Sequence, residues 1–267
     1  MIAERAAPAS GGDASTAVKA SVALVFAIAL GAAWVIGSTK APPYILPSPA
    51  DVGRAAVSFF TTGRKLAHLG ATLMHIFLSI AIAFVVGAAL AFTAHYARWS
   101  APAIHRRLSP FLNAFSGIGW TLLAVIWFGV STTSVVFTIT IVLLPFALVN
   151  LREGLVALDV ELVDMGRSFG RSRWRSFRAV VLPSLLPFAA ATLRIMFGVA
   201  WKVALTAELF GGGSGLGTMI NIARQDYDTA TIFTVILFII IVVVTADRVV
   251  FARIERYTSR HFGGRPR

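Results

Sequence analysis

Apolar runs of membrane length, separated by short polar turns, leave this sequence few folds to choose from. Six stand out: Val18–Gly37, Leu69–Tyr96, Leu108–Val130, Thr133–Leu151, Ser184–Leu209 and Ala230–Val250. A helix needs about 20 apolar residues to cross the hydrocarbon core of a bilayer. Of the 267 residues 57% are hydrophobic and 13% charged, with a mean hydropathy of +0.78. That leaves too little polar surface to coat a soluble globule. The chain therefore reads as an all-α polytopic membrane protein with six transmembrane helices. A cleaved signal peptide is the alternative for the first run, but its length and the lack of a small-x-small site after it favour a retained anchor.

No internal repeat and no second domain is visible, so residues 18–252 read as one transmembrane domain. Residues 1–17, rich in Ala, Ser and Gly, read as a disordered tail, and 253–267 as a basic one. Pro49–Lys65, introduced by the turn Leu46-Pro47-Ser48-Pro49, reads as an amphipathic helix outside the membrane.

The net charge of +12 would suggest nucleic acid in a soluble protein. In a membrane protein, Lys and Arg instead collect in cytoplasmic loops. With the N-terminus inside, segments 1–19, 97–107, 152–178 and 248–267 face the cytoplasm and hold 17 of the 24 basic residues. The asymmetry places both termini in the cytoplasm and accounts for the charge with a lipid bilayer alone, without nucleic acid. Cysteine is absent, which excludes disulfides and thiolate metal sites.

The densest basic segment is "DMGRSFGRSRWRSFRAVVLP", residues 164–183, with five arginines. One Arg at the centre of a membrane helix costs about 2.5–3.5 kcal/mol, so the segment lies outside the hydrocarbon. Leu158, Leu162, Met165 and Phe169 form one apolar stripe at helical spacing; Trp174, Phe177 and Val181 form a second, with Arg171, Arg175 and Arg178 opposite. Gly170 separates two short amphipathic helices, which either rest on lipid headgroups or dock on another protein.

Glu161–Pro187 resembles the cytoplasmic EAA loop of ABC-importer permeases. Gly170, Val180, Leu182 and Pro183 keep that pattern and its spacing, while Asp164, Met165 and Gly166 replace its Glu-Ala-Ala. "ILPSPADV" (45–52), "GVSTTS" (129–134), "GLVALDVELVD" (154–164) and "AELFGGGSGLGTMI" (207–220) are similar to the nitrate/sulfonate/taurine branch, so the resemblance covers nearly the whole chain. It implies a type I importer permease in the bacterial inner membrane. The partners it implies are a cytoplasmic ATPase dimer, a second permease copy and an extracytoplasmic substrate-binding protein. Coupling would run through Asp164, Met165, Gly166, Phe169, Gly170, Arg171, Trp174, Arg175, Phe177, Leu182 and Pro183, seated in a groove of the ATPase. The solute implied is a small anion such as a sulfonate, taurine or nitrate; a neutral pyrimidine-like compound remains open.

The chain itself carries no nucleotide signature. "GRSFGRSR" and "GGGSGLG" both lack the lysine of a phosphate-binding loop, the five histidines are scattered, and paired carboxylates are absent. The chain is expected not to be an enzyme and to hold no cofactor, with ATP and Mg bound by the partner ATPase. A secondary transporter or channel subunit is the alternative; such proteins usually show more spans, repeats and intramembrane acids.

Ionisable residues within spans are candidates for a solute path. His75 shares a face with Thr72 and Ser79, which suits either an interhelical hydrogen bond or a pore lining. Arg194 reads as pairing with carbonyls or a neighbouring span. Lys202, after Trp201 and before Glu208, either snorkels to the outer surface or attracts an anion. Asn113 and Trp120 make the start of the third span polar. Gly211, Gly212, Gly213, Gly215 and Gly217 read as an outer gate or as a plain loop. Replacing Phe169 and Trp174 by Asp is expected to abolish co-purification of the ATPase while membrane insertion is retained; a wild-type yield of ATPase would overturn the docking role.

Overall fold

The computed structural model describes residues 11–97, 99–157, 178, 181–251 and 253. All regular structure among them is helical. The helices are α1 (Gly11–Lys40), α2 (Pro49–Thr61), α3 (Gly63–Tyr96), α4 (Ser109–Ala114), α5 (Gly117–Phe128), α6 (Thr132–Val156), α7 (Leu182–Gly211), α8 (Leu216–Gln225) and α9 (Thr229–Thr245). Wider π-helical turns at Pro102–Leu108 and Ala246–Phe251 lead into α4 and extend α9.

Four helical segments among the described residues are long and apolar enough to cross a membrane: α3, α6, α7 and Thr229–Phe251. The expected third span, Leu108–Val130, is not one straight helix. Pro102–Ala114 and Gly117–Phe128 meet at 86°, the geometry of a broken span or a re-entrant loop. Phe115 and Ser116 are extended at the break, and the Ser116 hydroxyl caps α5 by accepting from Gly119 N–H at 3.3 Å. Trp120 then holds the bend by donating its indole N–H to the Leu112 carbonyl at 3.3 Å. The first run is helical, and α1 already begins at Gly11, inside the stretch expected as a tail. Its apolar part among the described side chains, Leu24–Lys40, is shorter than a full span.

The LPSP turn works as its residue types suggest. Ser48 caps α2 by accepting from Asp51 N–H, Asp51 returns a bond to the Ser48 backbone, and Pro49 fills the first helical position, where no N–H is needed. The Ser48 hydroxyl, ahead of the Arg54 guanidinium, holds the Asp51 carboxyl below its ordinary value. Because that pKa is lowered on folding, the capping contribution is present above the ordinary carboxylate range and is lost as pH falls through the lowered value. α2 ends at Thr61, four residues short of the expected Lys65, and α3 starts at Gly63 after a single linking residue. Phe59 of α2 is buried against Phe238 of α9, with ring centres 5.5 Å apart. Trp34 of α1 donates to the Pro47 carbonyl at 3.0 Å and stacks on Phe233 of α9.

The core lies between α3, α6 and α7, where Ile76, Ile139, Leu143, Met196 and Ala200 have no exposed surface. α6 is the most enclosed span and carries Pro145, which frees the Ile141 carbonyl without ending the helix. Hydrophobic burial cannot drive helices together in lipid, so small residues and close packing must. At Gly87 of α3 a Cβ would lie 2.5 Å from the Ala147 Cβ of α6; at Gly154 of α6 it would lie 2.7 Å from the Phe188 ring of α7. Gly70 of α3, by contrast, has nothing within 4 Å of the added atom. Gly87→Ala is therefore expected to destabilise the fold by about 1–3 kcal/mol. Gly70→Ala should stabilise it by about 0.5–1 kcal/mol through helix propensity. Melting curves of the two variants in detergent should move in opposite directions.

Candidate functional site

Buried polar groups of α3 and the start of α8 converge on the carboxylate of Glu208, one turn before the end of α7. Glu208, His75 and Thr72 have no exposed surface. Glu208 Oε1 lies 2.8 Å from His75 Nδ1, and Oε2 accepts from the Thr72 hydroxyl and from Gly217 N–H, both at 2.9 Å. Thr72 Oγ1 in turn accepts from Leu216 N–H at 2.7 Å. His68 Nδ1 accepts from Gly215 N–H at 3.1 Å, so this nitrogen carries no proton. His75 Nε2 reaches toward Thr132 Oγ1 of α6, 3.4 Å away.

Helix geometry explains the convergence. His68, Thr72 and His75 are spaced i, i+4 and i+7, which puts them on one face of α3. The N–H groups of residues 215–217 belong to the start of α8, where no intrahelical acceptor exists. Gly215, the residue at the cap position, has no side chain to offer. Acceptors from α3 and α7 take its place, and the positive end of the α8 dipole faces the carboxylate. Thr72 and Gly217 N–H donate to the carboxylate and His75 supplies a further ring nitrogen. Such pairing is what allows an acid to be buried in an apolar bundle.

The glycines between α7 and α8 follow from the same packing. A Cβ on Gly215, whose φ is +120°, would run into the Glu208 carboxylate; one on Gly217 would meet the Leu205 carbonyl. On Gly212 it would stand 2.8 Å from Glu208 Cα, and on Gly211 2.8 Å from Val125 of α5. Gly213 alone of the five has open space. Gly215→Ala is expected to destabilise the chain by about 2 kcal/mol or more, and Gly213→Ala by much less; equal melting temperatures for the two would overturn this packing.

The other residues singled out from the sequence stand apart from this cluster. Asn113 is exposed and donates to the Ser109 carbonyl of its own helix. Trp120 is buried at the α4–α5 bend. Trp201 is buried in the core against Phe197, and its indole N–H has no hydrogen-bond partner among the described residues. Lys202 is exposed, beside an apolar groove of about 270 Å³ between α7 and α9. Arg194 forms a two-pronged ion pair with Asp247 of the α9 extension, at 2.7 and 3.1 Å. Leu182 and Pro183 open α7. Asp164, Met165, Gly166, Phe169, Gly170, Arg171, Trp174, Arg175 and Phe177 lie outside the described residues. The helices on either side of that segment meet at its base: Leu155 of α6 is buried in one cluster with Val181 and Leu185. His68 and α8 were not anticipated. The spacing of His68 from His75, and of Leu216 from Met219 and Ala223, could have pointed to both. No group of three or more potential metal ligands occurs among the described residues.

Residues 83–258 match the family of binding-protein-dependent transport system inner membrane components. A probable ABC transporter permease of Brucella melitensis is 28% identical over 88% of this chain and 95% of its own. The riboflavin transport system permease RibX of Chloroflexus aurantiacus is 30% identical over 79% of this chain and 80% of its own. The taurine transport system permease TauC of Escherichia coli is 25% identical over 88% and 87%. Among solved structures, an inward-facing MetNI methionine ABC transporter superposes with a TM-score of 0.63 at 17% identity, covering 72% of this chain and 95% of that one. The chain belongs to the binding-protein-dependent transport system inner membrane components, and it has the fold of a type I ABC importer permease, a multi-pass subunit of the inner membrane.

Proposed function

We propose that this permease forms, with a second copy of itself, the path of an ATP-driven importer for a small organic anion of the sulfonate or taurine kind. The observation that carries the coupling half of this reading is the continuity of α7. Its first turn holds Leu182 and Pro183, which match the end of the coupling pattern, and Glu208 lies near its far end. Thirty residues of helix span about 45 Å, enough to carry motion across a bilayer. Tight packing at Gly154 ties the α6 side of the coupling segment to the same helix.

In this reading residues 158–183 dock on a cytoplasmic ATPase dimer, which binds ATP and Mg and performs the hydrolysis; this chain supplies no catalytic group. The basic segments, both termini among them, face the cytoplasm, and the turn between α7 and α8 faces outward, toward the substrate-binding protein. Exposed Lys202 supports an anionic solute, as do relatives named for taurine. The relative named for riboflavin favours a neutral heterocycle instead.

The test is uptake into vesicles holding the assembled transporter, with radiolabelled taurine and riboflavin measured in parallel. Taurine should accumulate only with ATP, and Lys202→Gln should lower its uptake several-fold. Accumulation that persists after ATP depletion with the proton gradient intact would make the chain part of a secondary transporter. Uptake of riboflavin in place of taurine would move the solute to the neutral class.

A further inference from the structure

We propose that the Glu208–His75–Thr72 network is a latch of the transport cycle: it fixes the start of α8 over α3 in the closed state and releases it when α7 shifts against α3. The proposal rests on the reading of the chain as the permease of an ATP-driven transporter.

Three observations carry it. First, α8 has no cap of its own. An ordinary helix start is capped by a Ser, Thr, Asp or Asn in the preceding turn, which travels with the helix. Here the cap position is Gly215, and the acceptors come from two other helices: Glu208 from α7, Thr72 and His68 from α3. The start of α8 is therefore satisfied only while α3 and α7 hold one register.

Second, the network cannot yield by degrees. Its bonds are 2.7–3.1 Å long, and a shift of about 1 Å between α3 and α7 breaks them. A carboxylate stripped of donors inside an apolar bundle is strongly disfavoured, so the group is either fully paired or exposed to water. That is the behaviour of a two-state element.

Third, the connection can move. Of the four residues joining α7 to α8, Gly212, Gly213 and Gly215 lack side chains, and Gly213 has free space around it. The latch also lies on α7, the helix that begins at the end of the coupling pattern.

The chain has no cysteine, so a single introduced thiol reports without background on this subunit. Leu216 has no exposed surface and contributes to the network only through its backbone N–H, so Leu216→Cys keeps every hydrogen bond. The complex with its ATPase, in nanodiscs, is treated with a bulky polar maleimide, once without nucleotide and once trapped with ATP and vanadate. Labelling of the Leu216→Cys complex should be slow without nucleotide and about tenfold faster or more in the trapped state. Adding Glu208→Ala, which leaves Gly217 N–H and the Thr72 hydroxyl without their acceptor, should make labelling fast in both states, while substrate-independent ATP hydrolysis rises at unchanged complex yield. Slow labelling in both states of the Leu216→Cys complex means a static scaffold and overturns the latch; fast labelling in both overturns the closed state. If the Glu208→Ala complex assembles and its labelling stays slow without nucleotide, the carboxylate does not hold α8 and the proposal fails. Should that variant not assemble, the state dependence of Leu216→Cys alone decides. Failure of any ATPase to co-purify with the wild-type chain would sink the permease reading instead, which separates the two.

Discussion

A carboxylate enclosed by helices must be met by donors, and around Glu208 that requirement joins three helices at once. Gly217 N–H at the start of α8, and the Thr72 hydroxyl and His75 ring of α3, all lie within 2.9 Å of its oxygens. Remove the side chain and the first turn of α8 loses an acceptor it has no local means to replace. Add a methyl group at Gly215 and the carboxylate has nowhere to sit. Gly215, Gly217, the two histidines of α3 and the start of α8 thus answer to one constraint.

The rest of the bundle makes that constraint possible by close approach. Lipid offers apolar side chains no reason to leave it, so the helices adhere through packing and hydrogen bonds. Gly87 against Ala147 and Gly154 against Phe188 bring α3 and α7 onto α6 from either side. α6 is consequently the enclosed centre, and both α3 and α7 are positioned by it. The same packing at Gly154 gathers the two ends of the segment that resembles a coupling loop. Glu208 lies near the other end of α7 from that segment.

Much of this was legible in the sequence. Hydropathy located four of the six expected spans, α3, α6, α7 and Thr229–Phe251, to within about six residues at each end, because the cost of polar groups in hydrocarbon is large and local. The Ser48-Pro49-Ala50-Asp51 cap was equally legible, since all of its bonds lie within four residues. His75 and Glu208 could each be picked out as ionisable residues within or beside spans, yet nothing in the order of residues says that they touch. They are separated by 133 positions, and the bond between them forms only once α3 and α7 have packed together.

What the sequence by itself determined was therefore what short-range physics determines: helix, span, cap, the charge asymmetry between loops and a family pattern. The tertiary structure decided the 86° break in the third span, where the Trp120 indole fixes a bend that hydropathy cannot see. It also decided which polar residues meet. His75 and Glu208 face each other, Arg194 faces Asp247, and Lys202 stands exposed. The physical reason is that a hydrogen bond depends on a few tenths of an ångström between chains, and that distance is set only when the helices have packed.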